Sequence, residues 1–468
     1  MMTIWAPNLD ERAGPRYVAI ADALDQDVRG GVLPPGARLP THRALAHRLG
    51  VTVGTVSRAY AEAERRGLVS GRVGRGTFVR ELGVEEESEA FELPEWPATS
   101  EIDLSMNLPA SPDRLGEGEA LASALTSISS RPGLGALLQY QQHEGLLPHR
   151  EAGAEWIARA GMEVDPNRVL ICSGAQHALT VCFSTLVKPG DVVLTESLTY
   201  VGMKALANAF HFRLQGVAMD EFGMLPEAFS AACESTGAKL LYCVPTIQNP
   251  TATVMPEERR REIAQVARHH GVTIIEDDIH GLLPPDPLPP LSSFAPDHSC
   301  YIASLSKSMA PGLRISYVAA SAELVERLRP GLWVTTWMAA PLMAEIATVW
   351  IQNGTADRML EKRREEAAFR QKLAARVLGG FRYQAHPFGY HLWLQLPEPW
   401  RAEDFTEQAS KRGVAVTSPS AFVVGRGSLP HAVRVCVGAV RSRERLVKGL
   451  ETLAQILAQS PEPSRCIV

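Results

Sequence analysis

Six short apolar segments between residues 169 and 320 constrain the fold of this chain more than any other feature. They alternate with segments in which apolar residues recur at helical spacing. Apolar strands that alternate with helices are typical of a mostly parallel sheet that is covered on both faces, an α/β architecture. Such sheets bind their ligands at the strand ends. The six segments are Val169–Cys172, Val192–Thr195, Leu240–Val244, Thr273–Glu276, Tyr301–Ala303 and Ile315–Ala320.

Three groups of polar residues follow these strands. Gly174–Gln176 follows the first strand and opens a helix, so its backbone N–H groups and the helix dipole favour an anion such as phosphate. Tyr200 follows the second strand and can provide an aromatic plate for a heterocycle, although a lone tyrosine is also typical of a core. Asn249 offers a fixed amide donor, or else forms an ordinary Asn-Pro turn. Each group alone is a weak signal of a site.

Two further groups carry charge. Glu276–Asp278 follows a buried strand, where a carboxylate needs a cationic partner such as a protonated pyridine nitrogen. The alternative is a pair of solvated loop carboxylates. Lys307 lies in Ser304–Lys307 and precedes Arg314, and a lysine beside another cation and a bound dianion can form and exchange a Schiff base. Ser304, Ser306 and Arg314 supply hydrogen-bond donors for a phosphate.

In this order the motifs resemble the class I/II aminotransferase family over nearly all of residues 101–460. The segments that carry the resemblance are GAQHAL, ESLTY, QNPTA, EDDIH, SLSK and APGLR. The resemblance implies a fold-type I domain that binds pyridoxal 5′-phosphate (PLP) covalently, as an internal aldimine with Lys307. It further implies that Asp277 pairs with the pyridinium nitrogen, Asn249 donates to the 3′-oxygen and Tyr200 stacks on the ring.

The resemblance also implies the remaining contacts of the cofactor and its ligand. Arg434 would grip the α-carboxylate of an amino acid, and Tyr140 would reach the phosphate of the partner subunit in a head-to-tail homodimer. His280 stands where aminotransferases usually have tyrosine; an imidazole can still donate to the 3′-oxygen, and it leaves the transamination rate open. The residues around the phosphate would be Ala175, Gln176, Ser304, Ser306 and Arg314.

The first 80 residues have a different pattern. Helical spacing over Tyr17–Gly30, a helix at His42–Leu49 and a Thr52-capped helix to Arg66 predict a helix-turn-helix. Leu68-Val69 and Thr77–Val79 predict the two strands of a wing.

This segment, from Arg38 to Val79, resembles the GntR class of winged-helix regulators. The resemblance implies DNA contacts by Arg43 and Arg58, by the hydroxyls of Thr52 and Thr55, and by Arg75 at the wing tip. Val53 departs from the usual arginine and can contact only a thymine methyl group.

Charge divides the chain into the same parts. Residues 1–80 hold twelve arginines against seven acidic residues, whereas residues 81–100 hold seven glutamates and no basic residue. We therefore expect a DNA-binding domain at 1–80, an acidic linker at 81–100 and a third part at 101–468. The resemblance to aminotransferases implies that this third part is the PLP domain, divided near residue 345 into a large and a small subdomain. A winged helix fused to such a domain is the layout of the MocR subfamily of GntR regulators.

Composition favours a cytoplasmic protein and argues against a secreted or membrane-spanning one. Seven cysteines without CxxC spacing indicate reduced thiols in the cytoplasm, the first 16 residues lack the apolar core of a signal peptide, and no metal site is predicted. The apolar stretch Leu332–Ile351 contains Pro341 and Glu345, which favours a buried helical segment over a membrane span. The leading hypothesis is a regulator that senses an amine or amino acid at Lys307; the alternatives are a working aminotransferase and a sensor of PLP itself.

Overall fold

The computed structural model describes residues 5–7, 9, 15–34, 36–66, 68–72, 76–79, 102–109, 116–425 and 429–459. The chain divides into two compact units, Met1–Trp96 and Pro97–Val468, which we term the head and the body. The predicted linker and the wing-tip Arg75 lie outside the described residues. Within the described part of the chain, no helix combines the length and the apolar character that a membrane crossing requires.

The head is the predicted winged helix-turn-helix. Thr41 and Thr52 each accept a backbone N–H at the start of the second and third helices, and Gly50 ends the second helix with φ 63°. Buried Leu24, Val56 and Tyr60 join the helices into one core. The elements are α1 Arg16–Arg29, α2 His42–Leu49, α3 Val53–Arg65 and the antiparallel pair β1 Val69–Arg72 and β2 Gly76–Val79.

A seven-stranded sheet forms the centre of the body, as the apolar segments predict. Six of its strands run in the same direction, and the strand Ser316–Ala320 runs antiparallel to both strands beside it. In spatial order the strands are β4 Val169–Cys172, β12 Ser316–Ala320, β11 Ser299–Ser304, β10 Thr273–Asp277, β9 Leu240–Cys243, β5 Val192–Glu196 and β6 Arg213–Val217. The helices that accompany this sheet are α4 Glu117–Ser129, α5 Leu147–Ala158, α6 Ala175–Leu186, α7 Val201–Phe210, α8 Pro226–Thr236, α9 Glu257–His270, α10 Ala322–Thr335 and α11 Pro341–Gln352, with a short ribbon of β7 Met219–Asp220 and β8 Gly223–Met224.

A second core lies under a smaller antiparallel sheet. Its elements are β13 Tyr383–Ala385, β14 His391–Gln395, β16 Ala432–Cys436, α13 Ala402–Lys411 and α14 Arg443–Leu457. The first strand of the body, β3 Ile102–Asp103, pairs in parallel with β15 Val414–Ala415, and Ile102 and Leu104 pack in this second core. This differs from the predicted partition, which places residue 101 onward in the large subdomain.

Helix α12, Thr355–Leu378, belongs to both cores: Met359 and Leu360 pack with the large one, Ala374 and Leu378 with the small one. The stretch Leu332–Ile351 is helical over most of its length, as its composition predicts, in the last turn of α10 and in α11, which is largely buried. The stretch breaks between α10 and α11, where Trp337 has φ 67°, and the side chain of Val334 is 74% exposed.

Candidate functional site

A cavity of about 310 Å³ lies in the body and brings together side chains from distant parts of the sequence. It is lined by nine of the ten residues predicted to hold the cofactor and by Arg434. The lining residues are Met106, Asn107, Leu108, Ala175, Gln176, Leu179, Tyr200, Val201, Asn249, Asp277, Ile279, Ser304, Ser306, Lys307, Arg314 and Arg434.

One end of the cavity is suited to an anion. Helix α6 begins at Ala175, directly after Gly174, whose φ is 86°; a Cβ atom there would lie 2.3 Å from Nη2 of Arg314, so glycine is required for this close approach. Arg314 donates to Ser306 Oγ at 3.4 Å, and the Tyr200 hydroxyl donates to Gln176 Oε1 at 3.3 Å. A helix N-terminus, a guanidinium and hydroxyls are the groups that hold a phosphate.

Asp277, at the end of β10, is suited to a cation. The Tyr242 hydroxyl donates to its Oδ2 at 3.0 Å, whereas its Oδ1 is buried and has no hydrogen-bond partner among the described residues. Burial raises the pKa of Asp277 to about 7, which means that this carboxylate requires a positive partner to stay ionised. A protonated ring nitrogen would satisfy the orphaned oxygen.

The other two acids of this strand end have structural roles. Glu276 accepts hydrogen bonds from the backbone of Leu291 at 3.0 Å and from the backbone and hydroxyl of Ser292 at 2.7 and 2.6 Å. Asp278 accepts from the Tyr301 hydroxyl at 2.8 Å. All three carboxylates are buried, so the solvated-loop alternative is wrong.

Lys307 follows β11 and faces the same cavity. Burial lowers its pKa to about 8. Its Nζ donates to the backbone carbonyl of Asn107, and its own carbonyl accepts from the Tyr390 hydroxyl at 2.8 Å. A lysine with a lowered pKa has a larger neutral fraction near neutral pH and is the nucleophile that Schiff-base chemistry requires.

Arg434, on β16, is a buried guanidinium whose described contacts are all with uncharged groups. It donates to Asn249 Oδ1 at 2.8 Å, to the Ser105 carbonyl at 2.5 Å and to Thr417 Oγ1 at 3.3 Å, and it lies 4.8 Å from the centre of the Phe422 ring. Its Nε is buried without a partner in the described chain. A buried cation with a free donor is a site for a carboxylate. Because arginine only donates, it also fixes Asn249 with its amide NH₂ group available to the cavity.

Comparisons with known proteins agree with this geometry. Residues 100–453 match the family model of aminotransferase class I and II, and residues 16–79 match that of the bacterial regulatory proteins of the gntR family. The chain belongs to the class I and II aminotransferase family. Its N-terminal GntR unit gives it the layout of the MocR subfamily of GntR regulators, as the sequence predicts.

Two regulators are similar to this chain along nearly its whole length, and a solved aminotransferase structure is similar to about three quarters of it. The HTH-type transcriptional regulator YdeF of Bacillus subtilis is 34% identical over 97% of this chain and 96% of its own. The vitamin B6 salvage pathway transcriptional repressor PtsJ of Salmonella typhimurium is 27% identical over 94% and 97%. The α-aminoadipate aminotransferase LysN of Thermus thermophilus, crystallised with N-(5′-phosphopyridoxyl)-L-leucine, is 25% identical over 76% of this chain and 92% of its own, with a TM-score of 0.68.

Two predicted residues of the PLP domain do not line the cavity. His280 is fully buried, its ring centre lies 5.9 Å from that of His391, and neither of its nitrogens has a hydrogen-bond partner among the described residues. Its role toward the cofactor stays a prediction. Tyr140 is 81% exposed, contacts Trp337 with ring centres 5.4 Å apart, and is not among the residues that line the cavity.

Of the five predicted DNA-contact residues, the four that the structure describes lie wholly or partly at the surface of this GntR unit. Arg43 and Thr52 are exposed, and Thr55 is half-buried, with its hydroxyl 2.8 Å from that of Thr52. The exposed Arg58 places its guanidinium 4.2 Å from the centre of the Tyr17 ring. Val53 is 45% exposed in the first turn of the recognition helix α3.

Three residues that contact the predicted site residues were not predicted from the sequence. Tyr242 holds Asp277, and the carbonyls of Ser105 and Asn107 meet Arg434 and Lys307. Only Tyr242 carries a signal that could have found it, since it lies on the strand next to that of Asp277.

Proposed function

We propose that this chain is a PLP-dependent, DNA-binding transcriptional regulator. One observation carries the proposal: one cavity brings together an anion-binding end, a lysine, and a carboxylate and a guanidinium that each have one buried atom without a partner among the described residues, in a chain that also has a winged helix-turn-helix. The regulators that are similar along the whole length support it. Because its ligand would be chromosomal DNA, we place the protein in the cytoplasm.

The residues of the cavity fit PLP. The start of α6 with Ser304, Ser306 and Arg314 would hold the phosphate, and Asp277 would neutralise the ring nitrogen, with its second oxygen held by Tyr242. PLP, when bound, supplies an aldehyde that forms a Schiff base with a primary amine. Lys307 is the amine that we propose carries it covalently.

We propose that the effector is an amine or an amino acid. The amine of the effector would replace Lys307 on the cofactor, and the freed Lys307 amine would take up the proton that the effector amine loses. The backbone carbonyl of Asn107, which accepts a hydrogen bond from Lys307 Nζ, would hold the freed amine in the cavity. A carboxylate on the effector would be held by Arg434, whose free Nε supplies one of the two donors of a bidentate pair.

An exposed apolar patch supports a homodimer. The ring centres of Trp333 and Trp337 lie 6.1 Å apart, and Trp337 also contacts Tyr140. Leu138, two residues before Tyr140 in the sequence, is 86% exposed. Patches of this kind mark protein interfaces. We propose that two bodies pair head-to-tail here, with Tyr140 reaching the phosphate of the partner subunit, and that the two heads read paired half-sites.

In the head, α3 would enter the major groove. Arg43, Thr52, Thr55, Arg58 and Arg75 would contact the DNA, mostly through phosphates, because Val53 occupies the position where an arginine would read a base. Binding of the effector would change the free energy of DNA binding by the coupling free energy between the two sites, typically about 1–3 kcal/mol.

Two other functions have a specific observation in their favour. The lowered pKa of Lys307 and the available Arg434 also suit a working aminotransferase, which predicts conversion of bound PLP to pyridoxamine phosphate by an amino acid. The name of the relative PtsJ, a vitamin B6 salvage repressor, favours a sensor of PLP itself, which predicts that DNA affinity changes on PLP binding alone.

Fluorescence anisotropy tests the proposal. The labelled upstream region of the chain's own gene is titrated with PLP-stripped protein, holoprotein, and holoprotein with candidate amines, at several salt concentrations and against a scrambled duplex. Specific binding that PLP or an amine shifts supports the regulator. Binding no tighter than to the scrambled duplex in every form contradicts it and leaves the aminotransferase function.

A further inference from the structure

A short segment near the start of the body runs along the proposed effector site. We define the strap as residues 104–109, which directly follow β3. Met106, Asn107 and Leu108 of the strap line the cavity. The strap therefore joins the ligand site, through the chain itself, to the segment that leads to the head.

The strap contacts both groups that an amino acid must engage. The Ser105 carbonyl accepts from Arg434 at 2.5 Å, from Thr417 Oγ1 at 3.2 Å and from the Cys436 thiol at 3.5 Å. The Asn107 carbonyl accepts from Lys307 Nζ, and Asn107 Oδ1 is buried at the cavity without a partner among the described residues.

The strap is held in this position by its own turn and by the small subdomain. Asp103 Oδ1 accepts from the backbone of Ser105 at 2.8 Å and from its hydroxyl at 2.6 Å. The backbone of Cys436 donates to the Leu104 carbonyl at 2.7 Å. A Cβ atom on Gly438 would lie 1.9 Å from the Leu108 carbonyl oxygen, so the strap can pass only because that residue is glycine.

We propose that the strap is the element that reports effector binding toward the head, with Ser105 and Asn107 as its positioning residues; this rests on the proposed function. A carboxylate is a stronger acceptor for a guanidinium than a carbonyl is, because it adds an opposite charge and can accept two parallel N–H groups as a bidentate pair. An effector carboxylate on Arg434 competes with the Ser105 carbonyl and loosens the strap. The orphaned Asn107 amide oxygen accepts from the effector amine, so an amino acid engages the strap at both positions.

Hydrogen exchange of the full-length protein tests the strap directly. The probes are N-(5′-phosphopyridoxyl)glycine and N-(5′-phosphopyridoxyl)methylamine, a pair that differs only in the carboxylate. With saturating glycine probe, we expect the backbone amides of Ser105 and Leu108 to exchange about fivefold faster or more than with the methylamine probe. Equal exchange with the two bound probes overturns the inference.

Substitutions of Asp103 and Gly438, which hold the strap in place, test whether the strap carries the effect of the ligand to the DNA-binding head. In Gly438→Ala and in Asp103→Ala, we expect the effect of the glycine probe on operator affinity to fall to less than half of the wild-type fold-change. Asp103→Asn keeps the acceptor and should restore it. Gly380→Ala is the matched control, because a Cβ atom there meets nothing within 4 Å. An unchanged probe effect in both Asp103→Ala and Gly438→Ala overturns the inference.

The two readouts separate the strap from the proposed function. If the operator affinity of the wild-type protein is the same with both probes while its strap amides respond to the carboxylate, the regulator and the report to the head are both contradicted, and only the response of the strap to the carboxylate is supported. A wild-type protein whose affinity responds while the strap amides do not supports the regulator and overturns the strap. If neither probe binds, both proposals fail.

Discussion

The head and the body present their polar groups in opposite ways. In the head, Arg43 and Thr52 are exposed to solvent before any DNA arrives. In the cavity of the body, Asp277 Oδ1, Arg434 Nε and Asn107 Oδ1 are buried and without partners among the described residues. The head would therefore exchange water and counterions for phosphates, which makes its affinity depend on salt. The body has already desolvated its groups on folding, which makes it selective for ligands that complete the missing partners.

The largest expected effect is that of the buried amine. Lys307→Ala should abolish covalent attachment of PLP, because it removes the nucleophile from the cavity. The measurement is the mass of the protein after PLP addition and borohydride reduction. Lys204→Ala is the control, since Lys204 contacts the Ser420 carbonyl and lies outside the cavity lining. Undiminished attachment in Lys307→Ala would disprove the assignment.

The pH dependence of PLP attachment follows next. Burial lowers the Lys307 pKa from 10.5 to about 8. At pH 7 the neutral fraction is then about 10%, against about 0.03% for an ordinary lysine. The rate of PLP attachment, followed by absorbance, should rise with pH and level off above about pH 8. Because the unfolded lysine binds a proton more tightly, this group also makes the folded state more stable as pH rises from about 8 to 10.5. A rate that keeps rising to pH 10 contradicts the prediction.

Two neighbouring acids sharpen the comparison within the body. Asp277→Asn should weaken PLP binding by about 2–3 kcal/mol, or about 30- to 150-fold, because a charged partner of the ring nitrogen is lost. Glu276→Gln should leave PLP affinity unchanged and lower the free energy of unfolding, since Glu276 accepts three hydrogen bonds within the fold. PLP titrations and urea unfolding of both variants measure this. Equal PLP affinities in the two variants would refute the division of roles.

In the head, loss of a single exposed charge should have a smaller effect on binding than the changes in the cavity. Arg43→Ala is expected to weaken operator binding by about 1–3 kcal/mol, and to reduce the salt slope by about one if the contact is a phosphate. Arg65→Ala is a matched control, because Arg65 pairs with Glu62 at the far end of α3. Anisotropy at several salt concentrations gives both quantities. Equal losses in the two variants would contradict a DNA contact at Arg43.

The smallest expected effect concerns the cap of the recognition helix. Thr52→Ala should cost about 1 kcal/mol of the stability of α3, because the side chain accepts from the Thr55 backbone at 3.1 Å. Hydrogen exchange of the first-turn amides in the full-length protein measures it. Thr52→Ser keeps the acceptor and should behave as the wild type; if it is destabilised as much as Thr52→Ala, the cap is not the cause.

Sequence patterns predict the head and most of the cavity because their signals are local. Thr41, Gly50 and Thr52 mark helix ends, and each strand-end motif is a few residues long. The sheet then brings these motifs together, since the carboxyl ends of parallel strands share one edge.

The strap and Tyr242 could not be found in the same way. Ser105 and Asn107 act largely through backbone carbonyls, which every residue has, so their type carries no signal. Tyr242 lies in a strand that is buried on both faces, where no alternation separates a site residue from a core residue. The break at Trp337 was missed because no glycine marks its positive φ.

Helix α12 has a consequence for how the body unfolds. Its 24 residues form a rod of about 36 Å whose first half is packed in one core and whose second half is packed in the other. Helix formation is cooperative, so loss of either half frays the rod and withdraws apolar contacts from the remaining core. Calorimetry of the body should therefore show one heat-absorption peak for both cores instead of two, with the small subdomain unable to melt while the large one stays intact.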